Sequence, residues 1–342
     1  MPVTLGYSAL EGVLGMPDAI RLLEEVLTHE AAGRTLDPPK FSSDLDNGFM
    51  RMLFAADYEA GYGVTKASHA MHGSGVRNVV TLYRLRDGEV LAVMDGRLIT
   101  DLRTGAATAV VARRVAVPPR ATVGIIGSGH QARMQLESIA TVHALASATV
   151  YSPTREHRER FASDMSRKLH LPIKVAESAE AAVRTRTVVV TASSARSSEP
   201  AVRGAWLEGC RLLCAVGNTR PQYSEIDVAC LSQATLVITD TENALAEAGD
   251  LRQAMEQGAV PKEKRATLAQ IVSGAIKVPA VGLVAYKSVG SALQDLALAH
   301  HYYELLGATA GVPAAADLAR ARQPMRELSA AAKPVSRKGK RS

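Results

Sequence analysis

The spacing of apolar positions divides the chain into distinct textures. In "MPDAIRLLEEVLTHEAAG", Ile20, Leu22, Leu23, Val26 and Leu27 recur at helical spacing, and Gly33 stands at a natural stop. From Gly63 to Thr100 the pattern turns to alternation. "RNVVTLYRL" and "EVLAVMDGRLITDL" read as strands, with Asp87-Gly88 and Asp95-Gly96 as turn signals. "RTGAATAVVARRVA" is helical again, and Val117-Pro118-Pro119 breaks it, which predicts a domain boundary.

Beyond the prolines, short apolar strands alternate with amphipathic segments. The strands are "ATVGIIG", "ATVYS", "TVVVTAS", "RLLCAVG" and "ATLVITD"; "REHRERFASDMSRKL" is one of the helices between them. This alternation predicts an α/β fold with a doubly wound parallel sheet of Rossmann type. "KSVGSALQDLALAHHYYELLG" predicts a long amphipathic helix that returns to the first domain.

Composition narrows the function classes. With 342 residues and 47% hydrophobic content the chain has room for two domains. The net charge of +6 comes almost wholly from Lys333, Arg337, Lys338, Lys340 and Arg341 in the last stretch. The body is nearly neutral, and aromatics are only 4%, so nucleic acid is not an expected partner. Cys210, Cys214 and Cys230 form neither an even framework nor a CxxC pair, and buried reduced thiols are expected. No metal is expected. No signal segment or membrane span is apparent, which predicts a soluble, cytoplasmic protein.

The chemistry begins at "VGIIGSGHQARMQLES". Gly127, Gly129 and Ala132 form G-x-G-x-x-A between a strand and a helix. The first glycine permits the tight turn, the second admits the pyrophosphate, and Ala132 allows close helix–strand packing. Helix-start amides at His130 and Gln131 would meet the phosphate charge. The ends of two further strands, Thr191-Ala192-Ser193 and Val216-Gly217-Asn218, are expected to border the same cofactor. At the tip of "ATVYS" an acid would hold the adenosine ribose. Here Ser152, Thr154 and Arg155 stand instead, which favours the 2′-phosphate of NADP(H), with NAD(H) as the alternative.

Taken together, "DGRLITDLRTGAATAV", "GIIGSGHQA", "VVVTAS", "EPAVRGAWLEG", "AVGNTRPQYSEID", "AEAGDL" and "YKSVGSALQDLALA" resemble the ornithine cyclodeaminase and mu-crystallin family over about residues 17–306. The resemblance implies a dinucleotide domain inserted after an N-terminal domain that binds substrate and forms a homodimer. It implies a substrate-binding domain of residues 1–117 with about 288–330, a Rossmann domain of 118–287, and a disordered basic tail of 331–342. It further implies that Arg103, read as lying at a helix start, and Lys66 hold a substrate carboxylate. Lys66 would also exchange a proton with the substrate nitrogen. Lys40 stands where family members usually carry an arginine, a point charge in place of a fork.

The loop "AVGNTRPQYSE" discriminates among family activities. Cyclodeaminases carry an aspartate base at the position that Thr219 occupies here, and a glutamate before an "MP" stretch that has no counterpart near Arg51. A hydroxyl can orient substrate or water but cannot act as a carboxylate base. Thr219-Arg220-Pro221 is similar to the mu-crystallin type, whose members reduce cyclic imine carboxylates. The expectation is an NAD(P)H-dependent reductase of small imine or ketimine acids, or an amino-acid dehydrogenase working in reverse, with an imine, keto acid or amino acid as substrate. Ornithine cyclodeaminase and a non-catalytic, crystallin-like NADPH-binding protein stand as alternatives.

Overall fold

The computed structural model describes residues 2–194 and 199–307; the expected basic tail, and 308–330 of the substrate-binding segment, lie outside the described residues. Two sheets organise the described chain. The first comprises β1 (Val3–Leu5), β2 (Thr35–Leu36), β3 (Phe41–Leu45), β4 (Gly48–Asp57), β5 (Tyr62–Met71), β6 (Arg77–Arg84) and β7 (Val90–Asp95). Its order is β1-β7-β6-β5-β4-β2, with β3 hydrogen-bonded to β4. All pairs are antiparallel except β1 with β7.

The second sheet comprises β8 (Ala121–Ile126), β9 (Leu145–Tyr151), β10 (Ile173–Val175), β11 (Val188–Thr191), β12 (Leu212–Ala215), β13 (Ala234–Thr239), β14 (Arg265–Thr267) and β15 (Leu283–Lys287). It is wholly parallel, in the order β10-β9-β8-β11-β12-β15-β13-β14. The chain winds outward from β8 in both directions, and β8/β11 is the switch point where such sheets open a crevice. Helices on both faces explain why strands such as VVVT and LLCA are buried along their whole length.

Three helices, Met16–Ala31, Gly96–Ala112 and Ala292–Leu306, pack together and against the first sheet. Gly96–Ala112 also packs on His130–Val142 of the second layer. The approach is close: a Cβ on Gly105 would come within 2.8 Å of the Met16 methyl and 3.1 Å of the Met134 carbonyl. This small-residue seam fixes the first sheet against the switch point.

The structure corrects several expectations. "DGRLITDL" is not the end of a strand: β7 stops at Asp95, whose side chain accepts from the Arg97 amide and caps a helix beginning at Gly96. The Thr100 and Thr104 hydroxyls bond back to the carbonyls four residues earlier, which accommodates these β-branched residues inside the helix. Arg103 therefore lies two turns inside this helix, away from any free amides. The last helix begins at Ala292, capped by Ser291, and its first eight residues, Ala292–Ala299, are all buried rather than amphipathic. Lys287 instead ends β15, one of three parallel strands, with β10 and β14, that the apolar pattern did not isolate.

Candidate active site

The glycine motif builds an open cradle. Gly127 has φ +110°, and a Cβ there would run into the Ala192 carbonyl. Gly129 is the N-cap of the His130–Val142 helix, offers no capping side chain, and faces open space. Ala132 is fully buried against the sheet. An uncapped helix start beside an unfilled approach fits a dinucleotide pyrophosphate. The side chains of His130 and Gln131 turn toward the neighbouring helix, pairing with Arg97 and Asp101 at 2.8 Å each.

At the β9 tip, Ser128 and Ser152 share a hydrogen bond of 2.9 Å, and Ser152 donates to the Thr154 carbonyl. Thr154 is the N-cap of the Arg155–Leu169 helix, and its side chain makes no capping bond. Arg155 is exposed and pairs with Glu159 at 2.7 Å. Arg158, missed in the sequence, stands over Tyr151 and donates to the Ser152 carbonyl and to Glu177. It fixes the strand tip on which the adenosine end of a dinucleotide would rest.

The loops after β11 and β12 converge on one carboxylate. Glu225, 1% exposed, accepts from the Thr191 hydroxyl (3.1 Å), the Ser193 amide and hydroxyl (2.9 and 2.8 Å), and the Gly217 and Asn218 amides (2.7 and 3.0 Å). Lys287 lies 4.0 Å from it and 3.0 Å from Asp250, also buried. Thr191 and Ser193 are thus committed to Glu225, while Ala192 and Val216 border the crevice. Asp240 plays a parallel part for the 288–290 loop. It accepts from the Ser288 hydroxyl, the Val289 and Gly290 amides and the Tyr286 hydroxyl.

A cavity of about 270 Å³ opens between the two sheets. Lys66 and Arg103 lie in its wall, and both are buried. Lys66 Nζ donates to Asp295 Oδ1 and Oδ2 at 2.8 and 3.0 Å and to the Thr100 hydroxyl at 2.7 Å. Arg103 donates through Nε to Asp295 at 3.2 Å and through Nη1 to Gln294 at 3.1 Å. Gly290 presses on the same guanidinium, where a Cβ would come within 2.6 Å of Nη1. Burial, with help from the nearby Arg103 charge, lowers the Lys66 pKa to about 8 against the opposing pull of Asp295. Asp295, fully buried, is the counter-ion that orients both cations.

Thr219 reaches this cavity and accepts from Arg51 Nη1 at 3.3 Å. Lys40 does not join Lys66 and Arg103. It lines an adjoining cavity of about 340 Å³, with its ammonium 2.6 Å from Glu247 and 3.1 Å from the Val289 carbonyl. Sequence reasoning also missed Asp295, Glu225 and Lys287. The available signal was an ionisable residue inside an otherwise apolar run, as in "SALQDLALA" and "LVAYK", since fully buried charges are rare unless paired.

A parallel nucleotide-binding sheet with a cationic cavity at its switch point defines a dinucleotide-dependent class of protein. The chain belongs to the ornithine cyclodeaminase/mu-crystallin family, whose model matches residues 3–309. It is 29% identical to the alanine dehydrogenase of Archaeoglobus fulgidus over 88% of this chain and 94% of that one. It is 29% identical to the ketimine reductase mu-crystallin of Mus musculus, covering 82% of this chain and 95% of that one. The solved Δ(1)-pyrroline-2-carboxylate reductase of Thermococcus litoralis superposes with a TM-score of 0.84 at 28% identity, covering 91% of this chain and 99% of that chain.

Proposed function

We propose that this chain is an NAD(P)-dependent oxidoreductase of C=N and CH–NH bonds, acting as a reductase of imine or ketimine carboxylates or as the reverse amino-acid dehydrogenase. One observation carries the choice within the family: among the described residues, no Asp or Glu lines the 270 Å³ cavity. Thr219, where a cyclodeaminase carries its aspartate, offers a hydroxyl already engaged by Arg51. Such a cavity holds an anion well but, among the described residues, has no carboxylate base to activate a substrate side-chain amine for ring closure. The similar Thermococcus litoralis reductase was solved with NADH and L-proline, a pairing of nicotinamide and amino acid that supports this reading.

A dinucleotide held by the Gly127–Gly129 cradle would supply or accept hydride at the substrate's C=N carbon. Lys66 and Arg103 hold the substrate carboxylate, and Asp295 keeps both cations aimed. Lys66, or a water held by Thr219, delivers the proton to the nitrogen. Gly127, Gly129 and Ala132 would admit the pyrophosphate, and Glu225 ties together the loops after β11 and β12. Ser152, Thr154 and Arg155, with no acid at the β9 tip, favour NADP(H).

The working unit is a homodimer in this reading. Met50, Met52 and Phe54 alternate along β4 and, with Phe41 at 70% exposure, leave an apolar stripe on the sheet face away from the cavity. Three buried free thiols suit a reducing cytoplasm, and among the described residues no helix is long and apolar enough to cross a membrane. The test is an initial-rate panel of pyrroline-2-carboxylate, piperideine-2-carboxylate and keto acids with ammonia, each with NADPH and NADH. Consumption of cofactor with NADPH favoured is expected, and Arg155→Ala narrows the NADPH-to-NADH ratio. No net consumption with any substrate, or ammonia release from ornithine without it, overturns the reading.

A further inference from the structure

Beyond the Arg51–Thr219 hydrogen bond, two guanidiniums in the cavity have no part in the scheme above. Arg51, on β4, and Arg220, in the loop after β12, both stand over the Phe49 ring, 5.9 and 4.9 Å from its centroid. Both line the 270 Å³ cavity and its neighbour. Like charges held this close are costly unless an anion joins them. Burial, and after it the Arg220 charge, lowers the Arg51 pKa. Arg51 Nε is buried without a hydrogen-bond partner, and Nη1 reaches the Thr219 hydroxyl at a long 3.3 Å. The nearby acids, Glu247 and Asp44, offset this charge only in part. Glu247 is held by Lys40 at 2.6 Å, and the Asp44 side chain, 2.9 Å from Arg220, is 66% exposed and screened by solvent.

The β4–β5 register sets where this second cationic pair lies. Leu53 faces Lys66 and Arg51 faces Ser68, so Arg51 is the diagonal neighbour of Lys66 on the cavity face. Diagonal residues stand roughly 7–8 Å apart. Lys66, Arg103, Arg51 and Arg220 all line this one cavity, so both cationic pairs face the same ligand space.

We infer that the substrate is a dicarboxylic imino acid, with its α-carboxylate on Lys66 and Arg103 and its second carboxylate between Arg51 and Arg220. The inference rests on the α-carboxylate clamp proposed above. Two guanidinium forks match the planar carboxylate, whereas a neutral side chain leaves the buried Arg51 Nε without a partner. Sites built around such a polar group discriminate strongly against ligands that lack its partner.

The experiment compares kcat/KM for oxaloacetate and 2-oxoglutarate with that for 2-oxobutanoate and 2-oxopentanoate, each with ammonium and NADPH. Dicarboxylates are expected to lead by at least tenfold, and Arg51→Met and Arg220→Met should each bring the ratio close to one. If a Met variant does not fold, the corresponding Lys variant, which keeps the charge and loses the fork, should give an intermediate ratio. A preference for monocarboxylates, or a dicarboxylate preference that survives the substitutions, overturns the inference. Turnover of monocarboxylic or cyclic imines alone overturns it while leaving the reductase reading intact. Turnover of no imine at all removes both.

Discussion

Glu225→Gln is the sharpest perturbation of the proposed cofactor crevice. Five donors reach this carboxylate, three at Oε2 and two at Oε1. A glutamine amide must turn its NH₂ toward one of these sets. On the Oε1 side it opposes the Ser193 amide, while the Ser193 hydroxyl can rotate to accept; on the Oε2 side it opposes two backbone amides. The first orientation is therefore favoured, leaving one buried amide unsatisfied at about 1–3 kcal/mol. Loss of the charge also weakens the three remaining bonds and leaves buried Lys287 balanced by Asp250 alone. Together these effects should destabilise the fold by about 2–5 kcal/mol. The β11 and β12 loops should loosen as well, so NADPH binding should weaken along with stability. Urea denaturation and calorimetric titration with NADPH read the two effects separately. A variant within about 0.5 kcal/mol of the parent, the usual range for an innocuous surface change, and with unchanged NADPH affinity would refute the role assigned to Glu225.

Other consequences concern pH. With the Lys66 pKa lowered to about 8, reductive kcat/KM should fall as pH rises past that value, because the neutral amine neither holds a carboxylate nor donates its proton as an acid. Lys66→Arg keeps the charge and should push this limb to higher pH; a limb that stays near pH 8 in the variant would assign it to another group. Stability should carry its own signature from two half-buried carboxyls. Burial raises Glu30 to about 8, aided by the Asp37 and Asp240 charges, and raises Asp37 to about 7. Both bind protons more tightly folded than unfolded, so their contribution is full below the ordinary carboxylate range, declines as pH rises above that range, and is gone once pH has passed through 7 to 8. Urea midpoints should therefore decline across that window, and the Glu30→Gln, Asp37→Asn double variant should flatten the decline.

What the sequence made legible was what local rules govern. The G-x-G-x-x-A turn, the alternation of apolar strands and the stop at Gly33 each follow from a few neighbouring residues. The helix start at Gly96 was misread because "LITDL" suits either period, and the Asp95 cap decides the matter only once β7 ends there. β10 and β14 are three-residue strands too short to show a period. Lys66 and Arg103 could be picked out by resemblance, but Asp295, which joins them, lies 229 residues from Lys66 and 192 from Arg103. Lys40 was grouped with them on sequence position, whereas the fold carries its ammonium to Glu247 in the next cavity. Glu225 was invisible for the same reason: its partners belong to two loops brought together by parallel pairing of β11 with β12.

The central claim is that hydride leaves with the product, and isotope transfer tests it most directly. Incubated with NADPH deuterated on the transferring face of nicotinamide C4, the enzyme should reduce pyrroline-2-carboxylate or a linear imino acid to an amino acid carrying one deuterium at Cα, with one NADPH oxidised per product. Product lacking deuterium, or formed with ammonia release and no net oxidation of NADPH, would contradict the account.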